Sequence, residues 1–154
     1  MALTFQPRVG QVIICDYGDH ITPPNPDGHM PPEMRKRRLV VVMNSKHYGG
    51  CVVVPLSATH SEHETRKGYH IEISEADMPD IVCFPKTTRW AKCNMVQMAS
   101  KDRLDRAQSS RGSKFVYLDP RIVEQIQRGI IKVIGANSLL QAEPMEQTAR
   151  PTTV

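Results

Sequence analysis

The chain has 154 residues, 40% of them hydrophobic and 23% charged, with a formal net charge of +4 at pH 7 and a pI near 9.0. That length makes one domain whose core needs neither disulfides nor a structural metal, in a composition ordinary for a soluble globular protein. The mild basicity favours a polyanionic partner, and the four cysteines, with no Cys-x-x-Cys pair and no zinc-finger spacing, suit a reducing compartment.

In chain order, Gln11 to Tyr17 reads as a first strand between Gly10 and Gly18. Residues 19–33 follow with Pro23, Pro24, Pro26, Pro31, Pro32 and Gly28, a composition that enters neither a helix nor a sheet interior and predicts a long loop. Four consecutive cations, Arg35, Lys36, Arg37 and Arg38, are then fused to the apolar run Leu39 to Met43. That run has the length and β-branched content of a fully buried strand, predicted over Arg38 to Asn44. A charge run is most often a solvated face, but here its last member is held where a core strand begins. A third strand is expected over Cys51 to Leu56, with Pro55 suggesting that it leaves the sheet there or lies on an edge.

Residues 60–68 are polar and histidine-rich, and Tyr69 to Ile73 alternates as a half-buried strand. Trp90 to Ala99 reads as one loosely alternating strand, which would place Lys92 and Asn94 on one face, two residues apart. Ser100 to Arg106 reads as a charged turn or a single helical turn, and Gln108 to Ser113 as a flexible loop. A helix is predicted from the N-cap Asp119, with Pro120 at its first position, to near Gly135. Ile122, Ile126, Ile130 and Ile134 would form its packing stripe. About five short strands and one terminal helix indicate a small, mostly-β barrel over residues 1–137, with a polar, disordered tail at 138–154. No hydrophobic signal core or membrane-length apolar window occurs, so a cytoplasmic protein with no membrane partner is expected.

His60, His63 and His70, with Glu62 and Glu64, invite a metal reading, but the spacing is loose and no second cluster completes a tetrahedral site; neither a metal nor another cofactor is expected. No Gly-Lys-Ser/Thr loop, Gly-x-Gly-x-x-Gly or Gly-x-Ser-x-Gly occurs, which leaves ATPase, dehydrogenase and α/β-hydrolase readings without support. What remains is a set of polar residues at strand ends: Arg38, Ser57, Lys92 and Asn94, preceded by a loop with His20 and His29. Such an inventory suits phosphodiester chemistry, in which cations neutralise charge developing on phosphorus and a hydroxyl or imidazole moves protons. RNA brings its own nucleophile, the 2′-hydroxyl. The same residues, taken by spacing alone, could equally be structural strand-end polars.

The order of segments resembles the PemK/MazF-like toxins of type II toxin–antitoxin systems. The resemblance is carried by Gly10-Gln-Val-Ile-Ile-Cys-Asp-Tyr17, Met34-Arg-Lys-Arg-Arg-Leu-Val-Val-Val42, Val52-Val-Val-Pro-Leu-Ser57, Trp90-Ala-Lys-Cys-Asn-Met-Val96, Ser100-Lys-Asp-Arg-Leu-Asp-Arg106 and the helix after them. It implies an SH3-like barrel, a homodimer binding RNA in a groove across its subunits, metal-independent endoribonuclease activity on mRNA, and an antitoxin partner in the same groove. By the same resemblance Arg38 matches the key arginine, Ser57 a threonine at the third strand's end, and His29 a histidine of the first loop. Lys92 and Asn94 match an arginine–aspartate acid–base pair of the PemK branch. Leu39 stands where a proline is usual.

Asn94 cannot accept a proton as a carboxylate does, and Lys92 keeps the charge but not the bidentate fork of arginine. Arg38, Ser57 and His29 are therefore the expected catalytic residues, and Arg35, Lys36, Arg37, Lys92 and Asn94 the expected RNA contacts. The alternative implied by Asn94 is a non-catalytic member of the fold that binds RNA, or a protein target as gyrase poisons do.

Overall fold

The computed structural model describes residues 3–18 and 34–141. Among these residues seven strands form one antiparallel sheet: β1 (Val12–Asp16), β2 (Arg37–His47), β3 (Gly50–Ser57), β4 (His70–Ile73), β5 (Arg89–Lys92), β6 (Gln97–Ser100) and β7 (Leu104–Arg106). The same described residues include two α-helices, the single-turn α1 (Glu62–Arg66) and the C-terminal α2 (Pro120–Val133). The strand order is β4-β5-β3-β2-β1-β7, with β6 also paired to β3. This is the expected mostly-β, SH3-like fold with a C-terminal helix. Among the described residues no helix is long and apolar enough to cross a membrane.

The sheet is apolar on both faces, which is why Leu39 to Val42 is an unbroken hydrophobic run rather than an alternating one. Leu39 and Val41 pack with Val12, Ile14, Val54, Leu56 and Ile73 beneath Ile122, Val123 and Ile126 of α2. Val40 and Val42 point the other way, onto Ile13, Cys15, Cys51, Val53 and Leu104. Each of these buried aliphatics contributes about 1.5–3 kcal/mol of transfer free energy. β2 is thus a buried central strand, paired with β1 and β3 on either side, and Arg38 sits at its entrance.

Four expectations need correction. β3 is a central strand, and Pro55 does not leave it: Pro55 lies opposite Val40. β3 pairs β6 through Gly50 to Val53 and β5 through Leu56 and Ser57, so Pro55 falls in the interval where a residue lacking an N–H interrupts neither ladder. β2 runs on to His47 by register shifts after Val42 and after Asn44, past the expected end at Asn44. Residues 62–66 form α1, capped by Ser61, where a polar loop was expected.

The fourth correction bears on the site. Trp90 to Ala99 is not one strand; it breaks into β5, a 3-10 turn at Cys93–Met95, and β6. The cause is tertiary. Cys93 turns inward to pack under α2, with Sγ 3.5 Å from the Ile126 carbonyl oxygen, and Gly129 is the helix residue that admits it. A Cβ on Gly129 would lie 2.6 Å from that sulfur. Burial pushes the Cys93 thiol up to about 12, so the side chain packs as a neutral, apolar group. Lys92 therefore ends a strand while Asn94 sits on a turn, and the two do not share a strand face. The remaining helix prediction holds at its start, where Asp119 accepts from the Arg121 N–H at 2.8 Å, and at its end, where Gly135 has φ +77°. The packing stripe is shorter than expected, because Ile134 is 69% exposed.

Candidate active site

Alternation along the strands decides which strand-end side chains meet. The last β2–β3 pair is Leu39 with Leu56, so the same register carried one step on sets Arg38 opposite Ser57. Ser57 in turn pairs with Trp90 on β5, and Trp90 with Glu72 on β4. Arg38, Ser57 and Trp90 thus form a row across three strands at one end of the sheet.

Arg38 is exposed, but its Nε is committed, donating to the Arg35 carbonyl at 2.9 Å. That bond orients the guanidinium and leaves its terminal nitrogens for another partner. Ser57 is buried, and its Oγ accepts from the Thr59 N–H at 3.1 Å. With the hydroxyl oxygen so engaged, its proton remains available for donation.

Two further cations belong here. Arg89 is buried and donates from Nη2 to the Pro85 carbonyl at 3.1 Å, above the Phe84 ring. Burial lowers its affinity for a proton, and the nearby positive charge of Arg38 lowers it further. Lys92, half-buried, is shifted down by the same two causes in the same order. Arg38 thus lies within electrostatic reach of both, and none of the three forms an ion pair with a carboxylate among the described residues. Arg89 was not anticipated from sequence.

Asn94 is occupied elsewhere. Its Oδ1 lies 3.0 Å from His70 Nε2, and its Nδ2 donates to Glu64 Oε2 at 3.5 Å. His70 is 4% exposed with Nδ1 unpartnered, and burial is the main cause that shifts its pKa down, which favours neutral imidazole. The neighbouring His60 ring stacks on Trp90, 4.6 Å between centroids and 20° from parallel. His60 and His70 thus have separate settings, and His63 lies on α1. Among the described residues no group of three His, Cys, Asp or Glu side chains is placed to hold a metal ion.

The rest of the basic run divides. Lys36 adopts a left-handed φ of +66° while its N–H donates to the Gly18 carbonyl at 2.8 Å, extending the β1–β2 pairing. Arg37 opens β2, one residue ahead of the strand start expected at Arg38, and reaches Asp105 on β7 at 3.8 Å, away from Ser57. Arg35 precedes both and is exposed. His29, expected to be catalytic, lies outside the described residues, as does His20.

The chain matches the family model described as "PemK-like, MazF-like toxin of type II toxin-antitoxin system" over residues 8–134. It is 41% identical over 148 residues to the uncharacterized protein YifN of Escherichia coli (strain K12), covering 91% of this chain and 99% of that protein. An uncharacterized protein of Haemophilus influenzae (strain ATCC 51907 / DSM 11121 / KW20 / Rd) is also 41% identical, over 136 residues, 88% of this chain and 94% of that one. Among solved structures, an endoribonuclease from Mycobacterial species aligns with a TM-score of 0.51 at 15% identity, covering 85% of this chain and 93% of its own, a likeness of fold. The family match spans the row of strand-end residues from Arg38 to Lys92 and the helix that packs behind them, and the chain belongs to the PemK-like, MazF-like toxin family of type II toxin–antitoxin systems.

Proposed function

We propose that this protein is an endoribonuclease toxin that cuts single-stranded RNA, mRNA in particular, through attack of the 2′-hydroxyl on the adjacent phosphate. The observation that carries the reading is that Arg38, opposite Ser57 at the sheet end, lies within electrostatic reach of Arg89 and Lys92 on the strand that pairs with Ser57, with no carboxylate ion pair to any of the three among the described residues. Cations held together against their mutual repulsion, one of them buried, suit an anionic ligand. A phosphodiester passing through a pentacoordinate state gains negative charge on its non-bridging oxygens, and guanidinium groups already in place stabilise that charge without reorganising. Arg38 presents its terminal nitrogens to the phosphate, Lys92 adds a point charge, and the Ser57 hydroxyl donates a hydrogen bond. Arg35 and Lys36, outside the row, draw RNA in by long-range attraction. The reaction uses no metal ion. An antitoxin protein is the proposed partner, and a homodimer the proposed working form.

Purified protein incubated with a long RNA in EDTA tests this. The expected result is discrete cleavage leaving 2′,3′-cyclic or 3′-phosphate ends. RNA that stays intact across varied sequences rejects the reading.

A second reading rests on Asn94, whose amide is tied to His70 and Glu64 where the PemK branch carries a carboxylate. In it the same cations bind RNA without cutting. Salt-sensitive binding with no turnover would favour it, and salt-insensitive capture of a protein would favour a protein target.

A further inference from the structure

The reaction proposed above needs a group that takes the 2′-hydroxyl proton, and most candidates near the cations are engaged. Asn94 has no basic lone pair. His70 is buried, with Nε2 facing Asn94 Oδ1 at 3.0 Å. Glu64 accepts from the Asn94 amide at 3.5 Å.

His60 is different. It follows Ser57 by a short turn in which the Thr59 N–H bonds to Ser57 Oγ, and that turn brings the imidazole onto Trp90, the cross-strand partner of Ser57. One face of the ring is covered by the indole, while the residue is exposed and its nitrogens make no hydrogen bond among the described residues. Trp90 of β5 is its ring partner, and His70 of β4 lies within electrostatic reach of His60, of Lys92 from β5 and of Glu64 from α1. A polar loop has no reason of its own to hold a histidine flat on a tryptophan distant in sequence.

We propose that His60 is the proton acceptor of this cleavage, an inference that rests on the endoribonuclease reading. As the 2′-oxygen–phosphorus bond forms and the 5′-oxygen–phosphorus bond breaks, the free imidazole nitrogen takes the 2′-hydroxyl proton. The departing 5′-oxygen takes a proton from water, and the imidazolium neutralises the hydroxide left behind. The products are a 2′,3′-cyclic phosphate and a 5′-hydroxyl. Stacking on Trp90 fixes the ring plane, so that the acceptor nitrogen is positioned before RNA arrives.

The test compares wild type, His60→Ala, His60→Gln and Glu64→Gln on one RNA oligonucleotide in EDTA across pH 5–9. Fluorescence of Trp90, the single tryptophan, and thermal unfolding report the fold of each variant. His60→Ala and His60→Gln are expected to lose about 10²–10⁴-fold in kcat with KM little changed and to lose the acidic limb of the pH–rate profile. Added imidazole should restore part of the His60→Ala rate. A His60→Ala protein with wild-type kcat, a loss carried wholly by KM, or a loss only in Glu64→Gln overturns the assignment to His60 while leaving the endoribonuclease reading intact. Wild-type protein that leaves RNA uncut overturns both.

Discussion

The helices and the strand-end site handle the same residue type in opposite ways. On the helices, Arg66 meets Glu62 at 2.8 Å and Arg128 meets Glu124 at 3.0 Å, each pair one turn apart and well exposed. At the sheet end, Arg38 lies within electrostatic reach of two further cations, Arg89 and Lys92, and the carboxylate of Glu64 accepts from the Asn94 amide. Exposed pairs one helical turn apart contribute about 0.3–0.5 kcal/mol each and serve solubility as much as stability. A cation cluster without counter-charge works against folding, and its presence points to a ligand. The contrast narrows to adjacent residues in β2, since Arg37 reaches Asp105 at 3.8 Å and Arg38 faces the row containing Ser57 and Trp90.

The sharpest way to break the comparison is to remove one member from each side. Arg38→Ala should lower RNA cleavage by at least about 10²–10³-fold, the range for losing one preorganised donor to a developing oxyanion. Arg37→Ala should leave most of the activity. Both side chains are exposed, so far-UV circular dichroism should be the same for the two variants. Equal losses would show that the run acts as a diffuse charge. A fully active Arg38→Ala would place the chemistry elsewhere.

Arg89 allows a test in which activity and stability move in opposite directions. The residue is 8% exposed, and its guanidinium is held by a carbonyl rather than a carboxylate. Replacing buried charge with an apolar side chain of similar volume is often neutral or stabilising by about 1–4 kcal/mol. Arg89→Met should therefore unfold at equal or higher denaturant concentration while cutting RNA more slowly. A variant that is less stable and fully active would make Arg89 a structural bridge to the Phe84–Pro85 segment.

Much of the fold was legible because it is written locally. The apolar runs of β1 to β3 have the length and β-branched content of buried strands, and Asp119-Pro120 announces the start of α2. Arg38 and Ser57 could be named because each adjoins such a run, and register then brings them to one level. What could not be read is what distant contacts impose. Cys93 leaves the strand because Gly129, on a helix far along the chain, admits its sulfur. Arg89 is marked by nothing near it, since its burial depends on Phe84 folding back beneath it. His60 looked like one histidine of a metal-tempting loop until Trp90 supplied its partner. Leu104 is the lone apolar residue in a charged stretch, too little pattern to predict β7, yet it is fully buried.

The smallest expected effect concerns His70, which stands between the two kinds of region: buried like the core, polar like the site. Its proton affinity is lowered in the folded state, chiefly by burial and against a partly opposing hydrogen bond to the Asn94 amide oxygen. The unfolded chain therefore binds this proton more readily than the folded one, and stability rises with pH across the interval between the two pKa values. The contribution is complete above the ordinary imidazole value of about 6.5 and declines as pH falls below it, with a slope of at most about 1.4 kcal/mol per pH unit for one proton. His70→Gln should flatten that part of the stability–pH curve measured by urea unfolding between pH 5 and 7.5. Asn94→Asp should do more than flatten it. A carboxylate 3 Å from Nε2, in the position now held by Oδ1, would favour the imidazolium and raise the folded-state proton affinity of His70, so the stability gained as pH rises would shrink or reverse. The same substitution supplies the acid–base carboxylate of the PemK branch, so its effect on RNA cleavage can be read alongside the stability curve. Cleavage that rises with Asn94→Asp would mean that the amide holds the site below its chemical capacity. Unchanged cleavage with a shifted stability curve would confine Asn94 to orienting His70.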